Sequence, residues 1–99
     1  MAKVQGLQTR AGYMESAGYI QITSLSSAVG LGAIPDGTTL AIIQAETQNV
    51  RYRDDGTNPS ASVGMLLPAG DLLYYTGKMA DLKFIEVSAS AKLNVTYYK

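Results

Sequence analysis

Apolar and polar positions alternate with a period of two along much of this chain. Leu93, Val95 and Tyr97 stand against Lys92, Asn94 and Thr96. Val50 and Tyr52 stand against Arg51 and Arg53, and Leu82 and Phe84 against Lys83 and Ile85. Side chains on a strand point to opposite faces in turn, so this pattern predicts strands with one buried face. Ile20 and Ile22 share a face within the β-prone run 19–25. Residues 39–45 (TLAIIQA) form a nearly continuous apolar run, which predicts a central strand buried on both faces. Runs at 62–67 and 71–76 are stopped by Pro68-Ala69-Gly70 and by Gly77.

Turn signals separate these runs every 8–12 residues or so, the spacing of a sandwich or barrel. The prediction is an all-β chain: an antiparallel β-sandwich of about seven to eight strands, jelly-roll-like or Ig-like. No amphipathic helix is evident, and 78–81 fits one helical turn. Residues 26–37 read as a loop broken by Gly30, Gly32, Pro35 and Gly37. Residues 1–17 show no clean period, and two readings stand: an irregular N-terminal arm anchored by Val4, Leu7, Tyr13 and Met14, or a short first strand. Residues 18–99 read as a single sandwich domain.

The segment 44–67, QAETQNVRYRDDGTNPSASVGMLL, concentrates the charge. It predicts a charged strand, a tight turn at Asp54-Asp55-Gly56, and a second strand. The Asp pair beside Arg51 and Arg53 predicts salt bridges at a hairpin end or across a subunit contact. The spacing fails the requirements of a calcium loop, which needs alternating oxygen ligands and a Glu at its twelfth position.

Composition narrows the function. Eight Lys and Arg balance eight Asp and Glu, which argues against a general nucleic-acid binder, since that needs cationic excess. Charged residues are 16% of the chain, below the roughly 25% of typical domains. Part of the surface is therefore expected either to be covered by partners or to be Ser/Thr/Gln-rich and solvated. The chain has no Cys and no His, which removes disulfides, Cys/His metal sites and the commonest general base. No cofactor is expected. No apolar run reaches the roughly 20 residues of a membrane span, and residues 1–6 lack the apolar core of a signal peptide. The expectation is a chain made and used without secretion, with no membrane partner.

Seven tyrosines stand beside one Phe and no Trp. Tyr74-Tyr75 and Tyr97-Tyr98 each send one ring to either face of a strand. One ring of each pair is expected to pack inward. The other, represented here by Tyr74 and Tyr98, is available for an interface or for stacking on a sugar.

The string 44–67, then Phe84-Ile85, then Leu93-Asn94-Val95-Thr96-Tyr97-Tyr98 resembles small virion proteins of tailed bacteriophages. In that group an R-Y-R-D-D-G-T segment, a Pro and a later Gly precede a strand reading roughly A-x-L-N-V-x-Y-Y. Here these are residues 51–57, Pro59, Gly64 and residues 91–98. The resemblance implies a non-enzymatic capsid decoration or cement protein, a small β-sandwich seated at capsomer junctions in the virion. Its implied partners are the major capsid protein or another virion protein, and itself as a dimer or trimer. The expected contacts are Val4, Leu7 and Tyr13, the loop 26–37, the tip carrying Arg51, Arg53, Asp54 and Asp55, and Tyr74 and Tyr98. The competing reading is a carbohydrate- or cell-surface-binding module of a head fibre, collar or tail.

Overall fold

The structure is a computed structural model and describes residues 13–99. Seven strands form in chain order: β1 (Ser16–Ile22), β2 (Leu40–Glu46), β3 (Val50–Arg53), β4 (Met65–Leu67), β5 (Leu72–Tyr75), β6 (Lys83–Glu86) and β7 (Lys92–Tyr98). A single 3-10 turn, Met79–Asp81, falls where the sequence predicts one helical turn. Every strand pairing is antiparallel. Four strands make one sheet in the order β1-β7-β2-β5, and three make the other in the order β4-β3-β6. The all-β sandwich predicted by the alternation is the observed architecture.

The strand order chooses between the two expected topologies. In an Ig sandwich the last strand joins the sheet that holds the third and sixth strands. Here β7 lies between β1 and β2, in the other sheet. A jelly roll places its last strand between its first and third, and pairs its second with its seventh. The segment between β1 and β2 carries the remnant of that second strand. Val29 makes one antiparallel bridge to Phe84 of β6, and the Leu25 carbonyl accepts from the Glu86 N–H. The strand order thus matches that of a jelly roll in which a single bridge stands where the second strand would be. The breakers Gly30, Gly32 and Pro35 account for the reduction, since they interrupt a ladder before it lengthens.

The core lies between the sheets. Ala41, Ile43 and Ala45 of β2 and Leu93, Val95 and Tyr97 of β7 point inward from one sheet. Val50, Leu67 and Phe84 face them from the other, with the Tyr52 and Phe84 rings tilted against each other at 5.9 Å. Leu25 and Leu31 are buried too, while Ser26, Ser27, Gly32, Ala33, Asp36 and Gly37 of the segment 26–37 are exposed. Its apolar residues plug the space that a full second strand would have covered.

Some expectations need correction. β2 buries one face and not two: Ile42, Gln44 and Glu46 are only half-covered on the outer side. An apolar run cannot be told from a half-covered strand when the outer residue is Ile. The first strand runs from Ser16 to Ile22 rather than over 19–25, so the end of the segment left open between arm and strand is strand. Val4 and Leu7 lie outside the described residues. The tight turn at 54–56 is instead an eleven-residue connection, 54–64, between β3 and β4.

Candidate functional site

Two surfaces gather the chemistry, and the first is the tip of the sandwich beyond β3. The four charged residues singled out from the sequence have separate tasks there. Arg51 organises the loop: its Nε donates to the Ala61 carbonyl at 3.2 Å and its Nη1 to the Gly64 carbonyl at 2.9 Å. Arg53 donates from Nη2 to Asp55 Oδ2 at 2.6 Å, forming the one ion pair found among the described residues. The other oxygen of Asp55 accepts from the Thr57 N–H at 3.2 Å and from the Thr57 hydroxyl. Asp55 thereby closes a turn on itself, as acidic residues do in loops. The Arg53 and Thr57 hydrogen bonds hold its carboxyl well below the usual carboxylate range. Asp54 lies near enough to the Tyr75 hydroxyl of β5, in the other sheet, for its charge to act on it. Burial pushes that hydroxyl's pKa up, and the Asp54 charge adds to the effect. Of the predicted salt bridges, one forms as a surface ion pair, while Arg51 serves instead as a loop clamp.

What lies beside this cluster is apolar. Arg53, Asp54, Asp55, Val63, Gly64 and Met65 line a shallow depression of about 410 Å³. Val63 is 56% exposed, Met65 is 62% exposed, and Leu66 on the outer face of β4 is exposed as well. β4 is an edge strand, so its outer backbone groups have no strand neighbour. Natural edges are usually blunted by charges, proline or a covering loop, and none of the three β4 residues is charged. The alternation signal hid this patch, because an apolar run such as Val63–Leu67 reads as a strand interior.

The second surface is the outer face of the four-stranded sheet. Tyr19, Thr96, Ile42 and Tyr74 stand in one row across β1, β7, β2 and β5. Gln21, Asn94, Gln44 and Leu72 stand in the next row. Tyr19 is 61% exposed and Tyr74 is 56% exposed. Between the rows runs a trough of about 180 Å³ lined by Tyr19, Ile42, Gln44, Leu72, Asn94 and Thr96. Asn94 is its fixed point. Its Oδ1 accepts from the Tyr19 hydroxyl at 2.7 Å and from Gln21 Nε2 at 2.9 Å. Its Nδ2 donates to Gln44 Oε1 at 3.2 Å and to Glu46 Oε1 at 2.8 Å. The residues were in view as strand positions, but their meeting needs the register of three strands.

Tyr74 thus belongs to the outer face, as the pairing of adjacent tyrosines predicts, while Tyr75 turns inward. Tyr97 is buried and Tyr98 is half-covered on the outer face. Tyr13 is exposed just ahead of β1. Neither surface resembles a catalytic constellation, and among the described residues no three His, Cys, Asp or Glu side chains converge as a metal site requires. No helix among them is long and apolar enough to cross a membrane. No family model, curated protein or solved structure matches the chain.

Proposed function

We propose that this chain is a non-enzymatic structural protein of a tailed-bacteriophage particle, a decoration or cement protein that binds the outer shell at capsomer junctions. One observation carries the attachment half of this reading: the uncharged β4 edge, with Val63, Met65 and Leu66 exposed beside a self-compensated Arg53–Asp55 pair. Exposed apolar side chains on an unpaired, uncharged edge strand fit a protein–protein contact. A charge pair already satisfied within the chain costs less to cover than two unpaired charges would. Arg51 and Asp55 fix the loop in advance, so little ordering entropy is lost on docking. The virion half rests on the resemblance in residues 51–57 and 91–98. Many copies, each weakly held, would together brace a shell.

The test is addition of the purified protein to capsids that lack it. The protein is expected to sediment with the shells and to raise the temperature at which they release DNA. Met65→Glu with Leu66→Glu should weaken shell binding by about tenfold or more, because docking would bury new charge. Its own melting should change little, since both side chains are exposed. Failure of the unaltered protein to sediment with any shell would sink the proposal.

A further inference from the structure

We infer that the outer face of the four-stranded sheet is a binding site for a neutral oligosaccharide, centred on the trough between Tyr19 and Leu72. The inference is independent of the attachment reading, because the trough and the β4 edge lie on different sheets.

The lining matches the two-sided chemistry of a sugar. A pyranose ring offers an apolar C–H face and a rim of hydroxyls, each both donor and acceptor. The floor of the trough supplies the apolar half: Ile42, the Thr96 methyl and Leu72, with the exposed Tyr19 ring as a wall. The hydroxyl rim would meet side-chain amides. Asn94 uses both lone pairs of Oδ1 and both N–H groups of Nδ2 within the protein, so it acts as a hub and leaves nothing for a ligand. Its neighbours keep their outward valences. Gln44 accepts through Oε1 and has no hydrogen-bond partner for Nε2 among the described residues. Gln21 donates through Nε2 and keeps Oε1. Glu46 accepts through Oε1 and keeps its second oxygen. Donors and acceptors are therefore held in fixed directions around an apolar floor, which is how small-molecule sites gain orientation. Tyr19 is likewise pinned by its bond to Asn94, so its ring loses little freedom on stacking.

Charge selects the ligand class. No cation lines the trough, and Lys92 lies beyond it, opposite Glu46. A phosphate, nucleic acid or acidic glycan would find no counter-charge there, whereas a neutral sugar needs none. Size fits as well. Three strand spacings of about 4.8 Å separate the columns of Tyr19 and Tyr74, giving a platform of roughly 14 Å. That is the span of a short oligosaccharide.

The experiment is a titration of the isotope-labelled protein with cellotetraose, maltotetraose, mannotetraose and chitotetraose, followed by amide chemical shifts. At least one sugar is expected to give saturating shifts at Tyr19, Ile42, Gln44, Leu72 and Thr96, with Kd on the order of 1 mM for so shallow a site. Tyr19→Ala and Gln44→Ala should each weaken that sugar about fivefold or more. Met65→Glu should bind it as the unaltered protein does. If Tyr19→Ala lowers the melting temperature, Gln44→Ala decides, because its side chain makes a single bond at the surface. The inference is overturned if none of the four sugars gives saturable shifts. Shifts confined to residues away from the trough, or undiminished in Gln44→Ala, overturn it equally. Loss of shell binding with intact sugar binding would strike the attachment reading alone, and the reverse would strike this one alone.

Discussion

Tyr97 is the residue at which the core departs from its own rules. It is 1% exposed, and its hydroxyl has no hydrogen-bond partner among the described residues. A buried polar group left unpaired costs about 1–3 kcal/mol. The ring fits an inward position of β7, opposite Ala41, whose small side chain leaves it room. Tyr97→Phe keeps the ring and removes the orphan. It is expected to stabilise the protein by about 1 kcal/mol, which in a domain of this size raises Tm by about 5 °C. A calorimetric scan reads this directly, and a lowered Tm would show that the hydroxyl is paired after all. Titration offers a second test. Burial raises the pKa of Tyr97 and of Tyr52, and burial with Asp54 raises that of Tyr75. In the unfolded chain these phenols ionise near 10, so above that pH the unfolded state sheds protons that the folded state keeps. Stability should therefore hold up to about pH 10 and fall beyond it. Absorbance of tyrosinate should show Tyr52, Tyr75 and Tyr97 titrating late, and urea midpoints should decline over the same range.

The strands were legible wherever alternation had a wet face to contrast with a dry one. β3 and β7 were readable residue by residue because Arg51, Arg53, Lys92 and Asn94 punctuate their apolar partners. β4 falls within the strand expected at 62–67, but its outer face was not readable, since Met65-Leu66-Leu67 has no polar residue to mark it. The connection before it was misread for a related reason: Asp54-Asp55-Gly56 has turn chemistry, but a turn signal does not say how many residues follow before pairing resumes. What sets the length is Gly64, where the loop returns against β3. Its φ is +141°, and a Cβ there would lie 3.1 Å from both Pro59 Cβ and the Tyr52 carbonyl oxygen, and 3.2 Å from Arg51 Cβ. Gly70 also has a positive φ, of +90°, but open space around it. Gly70→Ala should thus cost about 1–2 kcal/mol from backbone strain. Gly64→Ala should cost more, about 2–4 kcal/mol, because the clash adds to the strain. Denaturant midpoints of the two variants give the comparison, and equal losses would mean that the loop relaxes freely around Gly64. Proteolysis should cut the 54–64 loop faster in the Gly64 variant than in the Gly70 variant.

At the scale of the whole molecule, neutrality was visible in the composition, but its arrangement was not. The sequence places Arg51, Arg53, Asp54 and Asp55 side by side and invites the picture of a charged docking tip. The folded chain assigns Arg51 to the 54–64 loop, while Asp54 stays exposed in the same depression as the Arg53–Asp55 ion pair, with Val63 and Met65 beside them. The two uses proposed for the molecule then occupy different sheets, with apolar attachment at the β4 edge and an amide-rimmed trough on β1, β7, β2 and β5. This arrangement makes a sharp statement about ionic strength. Salt shortens the screening length from about 10 Å at 0.1 M to about 3 Å at 1 M, and it weakens docking that depends on exposed opposite charges. Apolar burial is not screened, and the Arg53–Asp55 pair forms within the chain whether or not a partner is present. Shell binding is therefore expected to change by less than about threefold between 0.1 M and 1 M NaCl. Sedimentation of a labelled sample with capsids across that series measures it. A fall of about tenfold or more would mean that the contact is made by charges meeting a partner of opposite sign, and the tip would regain the role that its sequence first suggests.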